Sequence, residues 1–230
     1  MYGLALLNSD YSGNAITVRR ASDNATQDIG FDGQDLDIAA LESFCAGTDG
    51  FVTTWYDQSG NANNAVQTTA SSQGKIVSGG SYLGYIDATN SSSRLFNLPF
   101  QYNSTQLFTS FIVGQSTGYG IYGGTDDNNI FYAAARPFNT DPSYNNFTNV
   151  SYYVNSNSIG LTRDDLYQST TSKSIITSFA QLLSSTNNAA IGYISGANNF
   201  NVNAFIIYNS DESSNRSGIE TALNDYYNIF

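Results

Sequence analysis

Residues 51–61 read Phe-Val-Thr-Thr-Trp-Tyr-Asp-Gln-Ser-Gly-Asn. The run Phe51–Tyr56 is entirely β-branched or aromatic, and such side chains fit a pleated, half-buried surface better than a helix. It stops at Asp57-Gln-Ser-Gly-Asn61, where Asp and Asn side chains can accept from nearby backbone N–H groups and Gly60 can take a positive φ. The expectation is a central strand, buried on both faces, that ends in a tight corner. Asp57, Gly60 and Asn61 are its structural residues, and Trp55 belongs to the core rather than to a sugar-binding platform.

The same grammar repeats on both sides of this stretch. Short apolar or alternating runs are separated by Gly, Asn, Ser and Asp, which is the punctuation of strands. Leu4–Leu7, Ala15–Arg20, Lys75–Val77, Tyr82–Ile86, Phe108–Gly114, Gly120–Gly123, Ile130–Ala135, Val150–Val154, Ser174–Phe179, Ala189–Ile194 and Asn201–Tyr208 complete a set that suits two packed sheets. Two segments break the rhythm. Asp37–Gly47 places Ile38, Leu41 and Cys45 at helical spacing, so a short helix is expected over 37–46. Near the end, Ser217-Gly-Ile-Glu220 fits a capping box and Ile219, Leu223 and Tyr226 form one apolar stripe, predicting a helix over 213–228. No linker, repeat or charge block interrupts residues 1–230, and one domain is the expectation.

Composition narrows the chemistry. The chain has 230 residues, with 8 Lys+Arg against 19 Asp+Glu, a net charge of −11 and no histidine. So few cations cannot displace counterions along a phosphate backbone, which argues against nucleic acid as a partner. Without imidazole, triads, Cys–His dyads and ordinary zinc sites are excluded, leaving carboxylate chemistry. One cysteine, Cys45, permits no intramolecular disulfide. No apolar run is long enough to span a bilayer, and the opening Met1–Leu7 lacks the basic start and cleavage site of a signal peptide.

The order of motifs is specific. Tyr11-Ser-Gly-Asn-Ala-Ile-Thr-Val-Arg-Arg-Ala-Ser-Asp-Asn24, then Gln27-Asp-Ile-Gly30, the helix around Phe44-Cys45, and Phe51–Asn61 follow one another as strand, helix, strand and corner. This succession resembles the start of the catalytic domain of the α-L-arabinofuranosidase B family. The resemblance covers about the first 70 residues and thins from residue 71 onward. It implies an all-β fold, a concanavalin A/laminin G-like jelly-roll β-sandwich, here with two short helices. The ending, Ile206 to Thr221 running into Asn224-Asp-Tyr-Tyr227, is similar to laminin G-like modules of bacterial surface proteins and phage structural proteins.

The enzymes of that family resemble retaining glycosidases: a Glu nucleophile lies in a Gly-Asn-Ala-Glu setting near a Cys-Cys pair, and an Asp acid/base follows a Gly-Gly late in the chain. Retention sets the two carboxyl groups about 5–5.5 Å apart. The matching stretches here are Gly120-Ile-Tyr-Gly-Gly-Thr-Asp-Asp-Asn128, with no Glu or Cys pair, and Ile191-Gly-Tyr-Ile-Ser-Gly-Ala197, with no acid. Glu42, Glu212 and Glu220 are the only glutamates, and they fall in or near the expected helices. The resemblance also implies that the family disulfide near Cys45 is lost, since its partner position holds Gly50.

Other constellations carry less. Asp126, Asp127 and Asn128 offer hard oxygens to Ca²⁺, a displaced nucleophile, or simply the Asx-turns of a hairpin loop. Calcium at Asp126 and Asp127 is the one cofactor these residues suggest. Asp28, Asp32, Asp35 and Asp37 lack EF-hand spacing and are expected in a solvated loop leading into a helix. Arg19 and Arg20 point to opposite faces of a strand, one to pair with an acid and the other to be solvated. The tyrosine excess includes Tyr144 and Tyr152, candidate contact residues for a glycan or a protein.

Missing family acids, no leader and an Asn/Ser/Thr/Tyr-rich surface together suggest a non-enzymatic virion surface module of a bacteriophage: a capsid decoration, spike or tail-fibre component. Its partners would be other virion proteins or a host cell-surface glycan, its location the virion surface, and a homo-oligomer would be compatible. The alternatives are a glycoside hydrolase of arabinofuranosidase type with relocated carboxylates such as Asp126 or Asp127, or a secreted carbohydrate-binding module, extracellular or on a bacterial cell surface.

Overall fold

In the computed structural model, residues 1–89, 95–102, 107–116, 122–124, 130–131, 147–182, 187–191 and 200–230 are described. The Phe51 run lies in the strand Gly50–Trp55, which pairs antiparallel with Ile16–Arg20. Ile16 stands opposite Trp55, Thr17 opposite Thr54 and Val18 opposite Val52, so Thr53 is an extra residue on one side of the ladder. This β-bulge resets the alternation, and Val52 and Trp55, three apart, both face the core. The strand is therefore buried on one face, not on both as expected. Its outer residue Phe51 is half-buried under the Arg19 guanidinium, 4.9 Å from the ring centroid.

Antiparallel pairing carries the sheet in both directions. Towards one edge come Ala65–Val66, Phe96–Tyr102, Asn187–Ile191, Tyr122–Gly124 and Ile130–Phe131. Towards the other come Lys75–Ser78, Ser81–Asp87, Phe200–Tyr208, Leu107–Ser116, Ser174–Leu182, Phe147–Val154 and Asn157–Ile159. The short strand Tyr2–Gly3 adds to Phe200–Tyr208, and its tyrosine links the two parts of the core. The Tyr2 ring lies 6.0 Å from that of Trp55 and 6.2 Å from that of Phe205, and Trp55 lies 5.7 Å from Phe96. The architecture is an all-β sandwich.

Phe200–Tyr208 is buried on both faces, as are Leu107–Ser116 and Ser174–Leu182. Val202 and Phe205 join the larger core cluster, whereas Ala204 and Ile206 join a second one with Phe111, Val113, Ile175 and Leu223. The strand Thr26–Ile29 was not expected, and Asp28 within it accepts from Thr17 Oγ1 at 2.6 Å, so part of the acidic loop is strand. Phe96–Tyr102 was also missed. Pro99 within it argues against a regular strand, and here it falls inside the register shift between Asn97 and Gln101. The first expected strand, Leu4–Leu7, is displaced to Tyr2–Gly3, with Ala5 left as an isolated bridge to Asp35. Arg20 pairs with Asp23 at 2.7 Å, while Arg19 is not solvated: its Nε donates to Gln73 at 2.8 Å.

Three helices are present among the described residues, one more than expected. Helix α1, Ile38–Phe44, is capped by Asp37, whose carboxylate accepts from Ala40 N at 2.9 Å. Helix α2, Arg163–Ser169, starts at a reciprocal cap. Thr162 Oγ1 accepts from Asp165 N at 3.1 Å, and Asp165 Oδ2 accepts from Thr162 N at 3.0 Å. Helix α3, Arg216–Tyr227, begins three residues later than expected, with Asn215 at its N-cap, and the Ser217–Glu220 capping box does not form. Glu220 instead turns inward, fully buried, accepting from Thr177 Oγ1 at 2.6 Å, Ser156 Oγ at 2.8 Å and Arg216 Nη1 at 2.9 Å. Three long-range and ionic donors satisfy a buried carboxylate better than one terminal N–H would.

Cys45 is a free, buried thiol, pushed up in pKa by that burial. A Cβ built on Gly50 would lie 2.7 Å from Cys45 Sγ and 3.1 Å from both Val18 Cγ1 and Val77 Cβ. Glycine at residue 50 is thus a packing requirement. Gly50→Ala is expected to lower stability by about 1–3 kcal/mol in urea unfolding. Gly50→Cys is expected to leave no titratable thiol in the oxidised, denatured protein, because the new side chain starts within bonding reach of Cys45.

Candidate functional site

The corner after Trp55 is built by two side chains. Asp57 Oδ1 accepts from the Met1 α-amino group at 2.8 Å and from Ser59 N at 3.0 Å, and Oδ2 from Ser59 Oγ at 2.7 Å and Asn63 N at 3.1 Å. Gln58 is fully buried. Its Nε2 donates to the carbonyls of Gly3 and Ala5, both at 3.0 Å, and its Oε1 accepts from Leu7 N at 2.7 Å. Gly60 turns the chain with φ +86°, and Asn61 donates from its amide to Ser59 Oγ at 3.1 Å. Beside the corner opens a cleft of 360 Å³, lined by Tyr2, Asp57, Asn61, Phe100, Tyr208 and Asn209 among others.

Electrostatics assigns Asp57 a structural task. Burial raises its carboxyl, but the hydrogen bonds from Met1 and Ser59 outweigh that and hold it below the usual carboxylate range. Four donors engage the two oxygens of the carboxylate, which commits it to holding the corner. Burial, then the charge of Asp57, push the Tyr2 phenol up. The glutamates are likewise engaged: Glu42 accepts from Tyr82 N at 2.9 Å, Glu212 from Ser210 Oγ at 2.6 Å and Asn215 Nδ2 at 2.7 Å, and Glu220 is held as above.

The described parts of the two stretches matched to family catalysis meet at one pair, Tyr122 opposite Ile191. Tyr122–Gly124 pairs antiparallel with Asn187–Ile191: Tyr122 opposite Ile191, Gly123 opposite Ala190, Gly124 opposite Ala189. Gly123 also stands opposite Ile130, so residues 125–129 join two paired strands. Asp126, Asp127, Asn128 and Tyr144 lie outside the described residues. Among the described residues no cluster of three or more His, Cys, Asp or Glu is arranged to hold a metal. Tyr152 is 2% exposed, packed in the core of the Phe147–Val154 strand, so it offers no contact surface. Gln58 went unnoticed in the sequence; its one signal was a polar residue directly after a buried strand.

Residues 4–134 match the family model described as α-L-arabinofuranosidase B, catalytic. The chain belongs to that family. A probable α-L-arabinofuranosidase B of Aspergillus fumigatus is 46% identical over 63 residues, and one of Aspergillus terreus 44% over 63 residues. Each match spans 26% of this chain and 12% of the fungal protein. Two solved structures share the fold. A glutamate-to-glutamine mutant of a GH54 α-L-arabinofuranosidase soaked with 4-nitrophenyl α-L-arabinofuranoside superposes with TM-score 0.60 at 14% identity, over 96% of this chain and 61% of that one. An arabinofuranosidase complexed with arabinofuranosyl-α-1,2-xylobiose superposes with TM-score 0.55 at 16% identity, over 96% of this chain and 62% of that one.

Membership of the arabinofuranosidase B family overturns the virion assignment. The family match continues to residue 134, through the stretch where the sequence resemblance had thinned, and both curated relatives are probable α-L-arabinofuranosidases. The virion-surface location falls with it. The misreading has a physical cause: an Asn/Ser/Thr/Tyr-rich surface reports solvent exposure, not the partner that meets it. No helix among the described residues is long and apolar enough to cross a membrane.

The corner makes two measurable claims. Gln58→Glu turns a donor pair into acceptors facing two carbonyls, and urea unfolding is expected to show a loss of about 3 kcal/mol or more. Asp57→Asn is expected to cost about 2 kcal/mol at pH 7. The native carboxyl of Asp57 is depressed, so its stabilisation is complete above the unfolded value near 3.9 and is lost as pH falls through the folded one. The gap between wild type and Asp57→Asn should therefore narrow below about pH 4.

Proposed function

We propose that this chain is a glycoside hydrolase of arabinofuranosidase type, acting on α-L-arabinofuranosides with a relocated carboxylate, Asp126 or Asp127. The observation that carries the reading is membership of the α-L-arabinofuranosidase B catalytic family, matched over residues 4–134, a span that includes Asp126 and Asp127. Between Asp87 and Asp141 the only acidic residues are Asp126 and Asp127. One of them attacks the anomeric carbon as the glycosidic C–O bond breaks, the leaving oxygen takes its proton from solvent, and water then hydrolyses the glycosyl ester to free the carboxylate. Residues 1–230 act as one sandwich unit, and an extracellular location fits a polysaccharide-borne substrate.

The absence of any acid in Ile191–Ala197 favours a second reading, a carbohydrate-binding module that holds an arabinofuranoside without cleaving it. Turnover separates the two. With 4-nitrophenyl α-L-arabinofuranoside as substrate, the hydrolase should release nitrophenol, and Asp126→Asn or Asp127→Asn should reduce the rate by about 10³-fold with folding unchanged. No release at high protein concentration, with saturable binding of the same glycoside, would establish the binding module in its place.

A further inference from the structure

A second concavity, of 270 Å³, opens between the Asp35 turn, the strand Ser81–Asp87 and the end of helix α3. It shares no residue with Gly120–Asn128 and includes none of the corner residues. Tyr82, Tyr226 and Tyr227 form aromatic walls, with Asp35, Lys173 and Asn203 as the polar lining. Tyr226 and Tyr227 stack edge to face with centroids 4.7 Å apart, and the Tyr226 hydroxyl donates to Asp35 Oδ1. Lys173 Nζ sits 4.7 Å from the centroid of the Tyr227 ring and, among the described residues, forms no ion pair. Asn203 Nδ2 donates to Gly84 O at 2.6 Å, and at Gly84, with φ +85°, an added Cβ would meet nothing within 4 Å. The backbone lies open at that point.

The donors and acceptors here are mixed, which suits a neutral polar ligand over a purely anionic, cationic or apolar one. A carboxylate repels an anion, an unpaired ammonium repels a cation, and both disfavour an apolar guest. A hydroxyl is both donor and acceptor and satisfies the two at once. Ring C–H faces pack on tyrosine walls. Pockets for drug-sized ligands run to about 300–1,000 Å³, so this smaller one suits a single ring. We infer that the Tyr82–Tyr226–Tyr227 pocket is a binding site for one neutral saccharide residue, held between Asp35 and Lys173. The phenols remain protonated donors at any working pH, since burial and then the Asp35 charge push Tyr82 up to about 12, and Tyr226 is raised by the same burial and by its bond to Asp35.

The site does not depend on hydrolysis; only the choice of arabinose as first probe rests on the function proposed above. In a ¹H–¹⁵N titration with L-arabinose, methyl α-L-arabinofuranoside, D-galactose and D-xylose, at least one sugar should shift the Gly84 and Lys173 amides saturably. Asp35→Asn, Lys173→Met and Tyr226→Phe should each weaken that sugar by about tenfold or more. Asp35 and Lys173 are exposed, so their variants leave the core intact. Binding of galactose or xylose without arabinose would keep the pocket and remove the arabinose assignment. No saturable shift by any sugar, shifts confined to other residues, insensitivity to all three variants, or displacement of sugar by sulfate or tetramethylammonium at equal concentration would overturn the proposal.

Discussion

The amide of Gln58 is the group on which the arrangement of this molecule turns. A buried primary amide has two donors and an acceptor to satisfy, and here all are taken by the backbone of residues 3–7. Its own N–H donates to Met1 O at 2.8 Å, and its carbonyl accepts from Asn8 Nδ2 at 3.0 Å. The opening segment is thereby clamped to the end of the Gly50–Trp55 strand. Tyr2 is carried with it into the gap between Trp55 and Phe205, joining the rings of two distant strands. Losing the amide would leave Gly3, Ala5 and Leu7 with unpaired backbone groups next to a buried aromatic cluster, each costing about 1–3 kcal/mol. Hydrophobic burial drives the collapse, but this hydrogen-bond set gives it a register.

What was legible in the sequence was local. A run of β-branched and aromatic residues ending at Asp-Gln-Ser-Gly-Asn reads as strand and corner because the chemistry of the turn sits within a few residues of itself. The Thr53 bulge was not legible, since it is defined by the partner strand 34 to 39 positions away in the chain, as in Val18 opposite Val52 and Ile16 opposite Trp55. Gln58 finds its partners 51 to 55 positions away, so nothing near it announces the role. Glu220 misled for the same reason: three residues after Ser217 it has the spacing of a capping residue, yet Thr177 and Ser156 claim it across the fold. Thr162-Arg-Asp-Asp165 was passed over as a helix start because Asp stands where a capping box usually has Glu or Gln.

The candidate site divides in a similar way. The positions matched to the family's catalytic stretches were found in the chain, and among the described residues strand pairing sets Tyr122 of one opposite Ile191 of the other. Which partner the surface meets was misjudged, because loop composition is set by hydration and turn geometry in virion proteins and secreted enzymes alike. Tyr152 shows the limit of composition for single residues too. A tyrosine beside another tyrosine on a strand has one ring inward and one outward by alternation, and burial selects Tyr152 for the core while Tyr153 stacks on Phe179 and under the Arg216 guanidinium.

The excess of acids acquires a different meaning once their partners are known. With −11 net charge and so few cations, most carboxylates cannot be neutralised by ion pairs. This chain instead satisfies many of them with neutral donors: Asp28 with Thr17 and Tyr56, Asp37 with Ala40 N, Asp165 with Thr162, Glu42 with Tyr82 N, Glu212 with Ser210 and Asn215. Hydroxyl and amide donors stabilise a carboxylate without demanding an opposite charge, and they are direction-specific, so each one pins two segments. Glu220 extends this to tertiary structure. It locks helix α3 to the strand Ser174–Leu182, and that helix presents Tyr226 and Tyr227 while the residue just before that strand is Lys173. The saccharide pocket therefore inherits its geometry from a buried carboxylate outside its own lining. Acids used in this way are consumed as architecture, so the carboxylates that hold the fold together are not the ones to expect in hydrolytic chemistry.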